Sequence, residues 1–240
     1  MLRKIVVSAA VAAGLLAVPA LPSQAAPSGG CPYPPHRPQL ALSATPATTV
    51  AGQTTFVFGS FKQNNCGIHN GQIHVQSRPV VDGQATGSWA TFAVPTTDSN
   101  GLWATHFAPK HDVLVRAFFW QSGVYPTTYS PSALVNVSDH LSLTAGRTTL
   151  CTVKVSGQTS PVKANRRIFV QNRGPKGQFN GWTTLWETRT NANGAYSSTH
   201  TLPCGSTYNL ATYIAHDATN TAGRSHTVYG IKTPLVAQGF

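Results

Sequence analysis

The chain has 240 residues, 41% of them hydrophobic, and 17 lysines and arginines stand against six acidic residues for a net charge of +11. Six scattered carboxylates leave little material for the paired acids of glycoside hydrolysis. The basic surplus points to polyanions as partners.

Residues 1–25 read as a signal peptide. Arg3 and Lys4 form the positive start, Ile5 to Leu21 is the apolar stretch, and Ser23-Gln24-Ala25 offers small residues to a signal peptidase, which places cleavage after Ala25. Pro19 and Pro22 interrupt the apolar stretch and no positive flank follows, which argues against a membrane anchor. No later run approaches bilayer length, so a secreted, extracellular product of 215 residues without a transmembrane span is expected. Residues 26–39 are rich in proline and glycine and read as an extended lead-in.

From residue 40 onward the chain says nearly the same thing twice. Gly71-Gln72-Ile73-His74-Val75-Gln76-Ser77-Arg78, Ser88-Trp89-Ala90-Thr91-Phe92, Thr97-Asp98-Ser99-Asn100-Gly101-Leu102-Trp103 and Val115-Arg116-Ala117-Phe118 follow one another. They are answered in order by Arg166-Arg167-Ile168-Phe169-Val170-Gln171-Asn172-Arg173, Gly181-Trp182-Thr183-Thr184-Leu185, Thr190-Asn191-Ala192-Asn193-Gly194-Ala195-Tyr196 and Leu210-Ala211-Thr212-Tyr213. Trp89 precedes Trp182 by 93 residues, Ile73 precedes Ile168 by 95, and Ala117 precedes Ala211 by 94. A repeat of this length is a whole small domain, which sets domains at 40–138 and 139–240. Within each, short runs of β-branched and aromatic residues alternate with polar ones, and no helical stripe occurs. Asn100-Gly101 and Asn193-Gly194 are expected to make tight hairpin turns. Six or seven strands per repeat predict an all-β chain: two tandem Ig-like β-sandwich domains after a cleaved signal peptide. The linker is short, so a rod with one flexible joint at Ser138-Asp139 is expected.

The pattern of Gly71-Gln72-Ile73-His74-Val75, then Trp89-Ala90-Thr91-Phe92, Thr97 to Trp103 and Arg116-Ala117-Phe118 resembles the Ig-like domains found in tandem in exported proteins of high-GC Gram-positive bacteria. The resemblance covers both repeats. It implies a β-sandwich used for spacing, surface display or binding, and no catalytic residues. The second repeat departs from it where Leu210 stands in the arginine position.

Four cysteines in an exported chain point to bracing by disulfides. Cys31 with Cys66 and Cys151 with Cys204 keep each bridge within one domain; the two pairings that cross between domains stay open. No Cys-x-x-Cys spacing supports zinc. His69 and His74, like His106 and His111, are five apart and point to opposite faces of an extended strand, so no metal and no cofactor is implied. Asp98 precedes a turn and reads as turn chemistry. No Gly-x-Ser-x-Gly elbow surrounds a serine, and an enzyme of unrecognised type ranks third among the functional readings.

Binding ranks first. Trp89 with Trp182, Phe92 with Leu185, and Trp103 with Tyr196 are matched in both copies and read as core. Residues found in one copy are candidates for function. If Ile168 and Val170 are buried, the same strand shows Arg167, Phe169, Gln171 and Arg173 outward; Phe169 replaces His74, and Trp186 replaces Ala93. An aromatic beside arginines stacks a ring while the cations hold an anion; the alternative is that Phe169 and Trp186 are covered by a neighbouring domain or loop. Of Phe118, Phe119 and Trp120, at least one must face outward, with the domain joint as a possible cover. Net charge is concentrated in the second domain, where ten basic residues face three acids for +7, against +2 in the first with its lead-in, Arg37 included. The combined expectation is a secreted, non-catalytic binding module for an anionic or carbohydrate polymer of the cell envelope. A structural spacer or a module binding or inhibiting a secreted protein is the alternative, and nucleic acid enters only as a non-specific polyanion.

Overall fold

The computed structural model describes residues 37–122, 125–174 and 181–234. The expected signal peptide, residues 26–36 of the lead-in, and Cys31 lie outside the described residues, so the Cys31–Cys66 pairing does too.

The described chain is all strand, turn and loop. In the first sandwich β1 (Gln39–Thr45), β2 (Thr48–Val50), β3 (Thr55–Gln63), β4 (Cys66–Gly67), β5 (Ile73–Val81), β6 (Gln84–Ala85), β7 (Ala90–Ala93), β8 (Leu102–Phe107), β9 (Val113–Phe119), β10 (Thr128–Tyr129) and β11 (Ala133–Ser138) follow in order. One sheet has β3 flanked by β1 and β8; the other runs β2-β11-β9-β5, with β7 on the far side of β5. β2 pairs parallel with β11. The second sandwich comprises β12 (His140–Leu141), β13 (Thr144–Arg147), β14 (Thr152–Ser160), β15 (Arg167–Arg173), β16 (Trp182–Arg189), β17 (Ala195–Thr201), β18 (Ser206–Ile214), β19 (Gly223–Arg224) and β20 (Val228–Thr233). There β14 lies between β17 and the pair β12/β13, and the facing sheet runs β16-β15-β18, with β19 and β20 both on β18.

Period-two alternation builds both cores. Val57 and Phe61 of β3, Ile73 and Val75 of β5, Val115, Ala117 and Phe119 of β9, and Val135 and Val137 of β11 point between the sheets with Trp103. Val153, Val155, Val170, Leu210 and Ile231 do so in the second sandwich, beside a smaller cluster of Leu141, Ile168, Tyr196 and Ile214. Burying each such aliphatic side chain contributes roughly 1.5–3 kcal/mol. Trp103 and Tyr196 each lie over a glycine of the strand facing them, Gly59 and Gly157, where a Cβ would strike the ring. The Tyr196 hydroxyl also bonds to Thr212 Oγ1 at 2.7 Å and donates to the Ser142 carbonyl, and burial pushes its pKa up to about 12. Cys151 and Cys204 are joined, tying the start of β14 to the turn before β18 in the opposite sheet.

Two sequence expectations shift. The Asn-Gly turns are corners, not hairpins: β7 and β8 belong to different sheets, and the turn carries the chain between them. Only Gly101 and Gly194 take positive φ there, 73° and 74°, whereas a two-residue hairpin turn needs it at both central positions (type I′) or at the first (type II′). Asp98 and Asn191 close the corners through side-chain oxygens that accept two backbone N–H groups each. The repeat alignment also slips by one residue in β18. Val75 faces Ala117, but Val170 faces Thr212, so Ala117 matches Thr212 and Arg116 matches Ala211. A serine hydroxyl confirms the register: Ser130 accepts Ala117 N–H and Ser225 accepts Thr212 N–H, both at 2.9 Å.

At the joint Asp139 is buried, Ser138 is half-buried, and both are hydrogen-bonded. The turn 215–222 of the second sandwich docks on the first. Asp82 and Asp112 donate their N–H groups to the carbonyls of Ala218 and Thr219, Thr221 donates to Val137, and Asn220 Nδ2 donates to the carbonyls of Lys110 and Val137. Within the second sandwich Lys163 Nζ braces this turn, 2.6 Å from Asp217 Oδ2 and 2.9 Å from Asn220 Oδ1. Asp139, 1% exposed, lies beneath with its carboxylate 3.6 Å from Lys163 Nζ, beyond hydrogen-bond reach. Burial pushes Asp139 up to about 6, against the pull of Lys163. At Asp217 burial also acts upward, yet hydrogen bonds from Lys163 and Thr219 hold it down at about 2.

Candidate anion-binding face

The outer face of β15 and its neighbours gathers most of the expected strip. Ile168 and Val170 are fully buried, and Arg167 and Arg173 at the ends of β15 are exposed. Arg167 Nε pairs with Glu187 Oε2 at 3.3 Å with both side chains about half exposed, an arrangement worth about 0–1 kcal/mol. Phe169 stands across β18 from Tyr213, ring centroids 6.0 Å apart. Gln171 is only 9% exposed because its neighbours cover it. Its Nε2 donates to Thr184 Oγ1 at 3.2 Å, and its Oε1 accepts Arg224 Nη2 at 2.9 Å. The Arg224 guanidinium lies 4.3 Å from the Trp182 ring and 5.4 Å from that of Tyr213. Burial lowers the Arg224 pKa, against the influence of Tyr213. Arg173 Nη1 donates to Tyr229 Oη at 3.3 Å.

Trp186 does not join this strip. The β15–β16 register jumps by one residue after Val170, so Leu185 is bulged and Trp186 faces Val170. A one-residue jump moves a side chain to the other face of the sheet. Trp186 therefore packs toward the core, donates Nε1 to Ser198 Oγ at 2.9 Å and stacks on His200 at 4.8 Å. Phe169 lies beside Tyr213 of its own sheet.

Arg224, Trp182, Tyr213 and Tyr229 were not among the residues that sequence reasoning placed on this face. Arg224 sits in a two-residue strand with no periodic signal of its own, and Trp182 was assigned to the core by its match to Trp89. Cross-strand register with Phe169 is the one signal that points to Tyr213.

Phe119 lies in the first core beside Phe61 at 4.6 Å. Phe118 faces outward under His74, Tyr129 and Trp120, and Trp120 is 66% exposed. This cluster is at the end of β9; the joint is at its start, beside Asp112, so the joint does not cover it. An open cleft of about 740 Å³ near Trp120 includes His69, His74 and Ser122. Among the described residues, no histidine ring there hydrogen-bonds to a serine or carboxylate, and no three histidines, cysteines or acids gather.

No protein-family model and no curated protein matches the chain. Similar solved structures include the tetra-tandem repeat in the extending region of a large adhesion protein (14% identity, 80% of this chain and 49% of that chain, TM-score 0.33). Another is the Yersinia pseudotuberculosis adhesin InvE (14%, 80% and 58%, 0.35). A third is a C-terminal 282-residue fragment of intimin in complex with the intimin-binding domain of the translocated intimin receptor (13%, 80% and 64%, 0.39). The chain spans about half the length of the first of these. At such identity and TM-score the likeness lends no support to a high-GC Gram-positive origin.

Proposed function

We propose that the protein is an exported, non-catalytic module that binds an anionic polysaccharide of the cell envelope through the outer face of β16-β15-β18-β19. The observation that carries this reading is Arg224, set between Trp182, Tyr213 and Gln171. Neither Arg224 nor Arg173 has a carboxylate within 4.0 Å among the described residues. A guanidinium fixed on a ring and oriented by one amide keeps its remaining N–H edge for an oxyanion, with little rotamer freedom left to lose. Arg167, spent on Glu187, contributes less.

Retention of the full chain on cell walls, chitin, cellulose and DNA across a salt series tests the reading. Retention on acidic material that falls steeply as salt rises is expected, because exposed charges are screened over about 8 Å at physiological ionic strength. Arg173→Ala with Arg224→Ala should lower and flatten that response, whereas Arg167→Ala should change it little. Equal retention of the wild type and the Arg173/Arg224 variant would remove this face from consideration.

A further inference from the structure

The first sandwich carries a second cluster of the same make-up, outside the strip expected from the sequence. Gln76 donates Nε2 to Thr91 Oγ1 at 3.2 Å and accepts Arg116 Nε at 3.0 Å. The Arg116 guanidinium lies 4.2 Å from the Trp89 ring and 4.9 Å from that of Tyr129. The matching distances around Arg224 are 3.2, 2.9, 4.3 and 5.4 Å. The two arginines nevertheless come from different backbone positions. Gln76 faces Arg116 on β9, but Gln171 faces Ala211 on β18. Arg224 reaches in from β19, at the place that Tyr129 holds on β10. A guanidinium thus meets the same partners from two different strands.

The first cluster has an added cation. The Arg78 guanidinium lies 4.7 Å from the Trp89 ring, and its Nε is buried with no hydrogen-bond partner. Neither Arg78 nor Arg116 has a carboxylate within 4.0 Å among the described residues. Two of this sandwich's three acids are engaged elsewhere: Asp98 closes a corner and Asp112 accepts the Val137 N–H. Burial lowers the Arg116 pKa; Tyr129 opposes that shift, and the charge of Arg78 adds a smaller push downward. Two like charges beside an unpaired buried donor are costly to hold together unless an anion completes the set.

We infer that Arg78 and Arg116 form a second anion site, which takes a sulfate, phosphate or carboxylate group of the same polysaccharide. The inference rests on the function proposed above. Guanidiniums crowd the Trp89 ring, as one does the Trp182 ring, so neither tryptophan offers the open face that base stacking needs, and a glycan is favoured over single-stranded DNA. Two such sites on one chain suit a polymer that repeats its charge, because the second engagement is intramolecular.

The test is equilibrium binding of the full chain to dextran sulfate, with uncharged dextran and single-stranded DNA as controls, and circular dichroism to confirm folding. Arg78→Gln with Arg116→Gln should lower affinity for dextran sulfate at least about tenfold at low salt, the loss of one or both charge-assisted contacts, and weaken its salt dependence. Arg224→Gln should do the same independently. If the folded glutamine pair binds as wild type while Arg224→Gln weakens binding, the second site is overturned and the proposed function stands. Should the glutamine pair fail to fold, Arg78→Lys with Arg116→Lys keeps the charge but loses the planar fork. That pair should still lose several-fold, and wild-type affinity there overturns the site. A wild type that ignores dextran sulfate sinks the proposed function and this site together, and tighter binding to single-stranded DNA overturns the choice of polysaccharide.

Discussion

Gly157 and Asp139 show how single residues set the limits of this fold. An added methyl at Gly157 would run into the Ser142 carbonyl and the Tyr196 ring. Gly157→Ala should cost about 1–3 kcal/mol or more through overpacking, visible as a lower denaturation midpoint, and an unchanged midpoint would show that Tyr196 can move aside. Asp139 acts through protons. Its folded pKa of about 6 exceeds the ordinary 3.8, so the native state holds the proton more tightly than the unfolded one. Its charged form therefore costs stability at neutral pH, and that cost is relieved as pH falls through about 6 toward 4. Asp217, held at about 2, works in the opposite sense: its contribution is present above pH 4 and is lost as pH drops toward 2. Melting temperature should therefore peak in mildly acidic buffer. Asp139→Asn should raise it at pH 7 and remove the slope between pH 7 and 5; a slope that survives this change would assign the titration to another group.

Among the elements, β15 and β16 separate what the sequence discloses from what it hides. Alternation in β15 was legible because Ile168 and Val170 are flanked by polar residues at period two, and the structure keeps their burial. β16 was not, because nothing in Trp182-Thr183-Thr184-Leu185-Trp186 marks the bulge that turns Trp186 inward. The same bulge occurs opposite Val75 and Gln76 in the first repeat, so it belongs to the fold rather than to one sequence. The slip in β18 has a similar origin: Ala211 and Thr212 are both fully covered, and an alanine match is a weak guide when the deciding partner of Thr212 is a serine thirteen residues further on. Clusters such as Gln171–Arg224–Trp182 escape any linear reading, since each member comes from a different strand. The bridge between β14 and the turn before β18 closes a separation of 53 residues. Replacing Cys151 and Cys204 with serine should cost about 4 kcal/mol, mainly by freeing the unfolded chain. Denaturation with and without reductant checks this, and a loss below about 1 kcal/mol would mean that the two sheets hold without the bridge.

In the whole molecule, the two sandwiches are joined by paired backbone groups and the Asn220 side chain rather than by a bare linker. Separated halves, 26–138 and 139–240, should each fold, since each has its own core. Each should melt below the full chain, because Asp82, Asp112 and Val137 lose their partners on one side and Ala218, Thr219 and Asn220 lose theirs on the other. Circular dichroism of the halves and of the intact chain measures the difference; identical melting would mean that the junction contributes nothing, and two unfolded halves would dissolve the boundary itself.

The turn 215–222 has one more effect, which concerns time. A chain that emerges from its N-terminus completes the first sandwich when residue 138 appears, yet the groups that cap its far end arrive only with Ala218 to Thr221. For some eighty residues of growth the finished first sandwich presents bare N–H and C=O groups at Asp82, Asp112 and Val137, open to water or to a passing strand. The second sandwich is, for its predecessor, a late-arriving lid, and the interval before it closes is when the nascent protein is most exposed to wrong pairing.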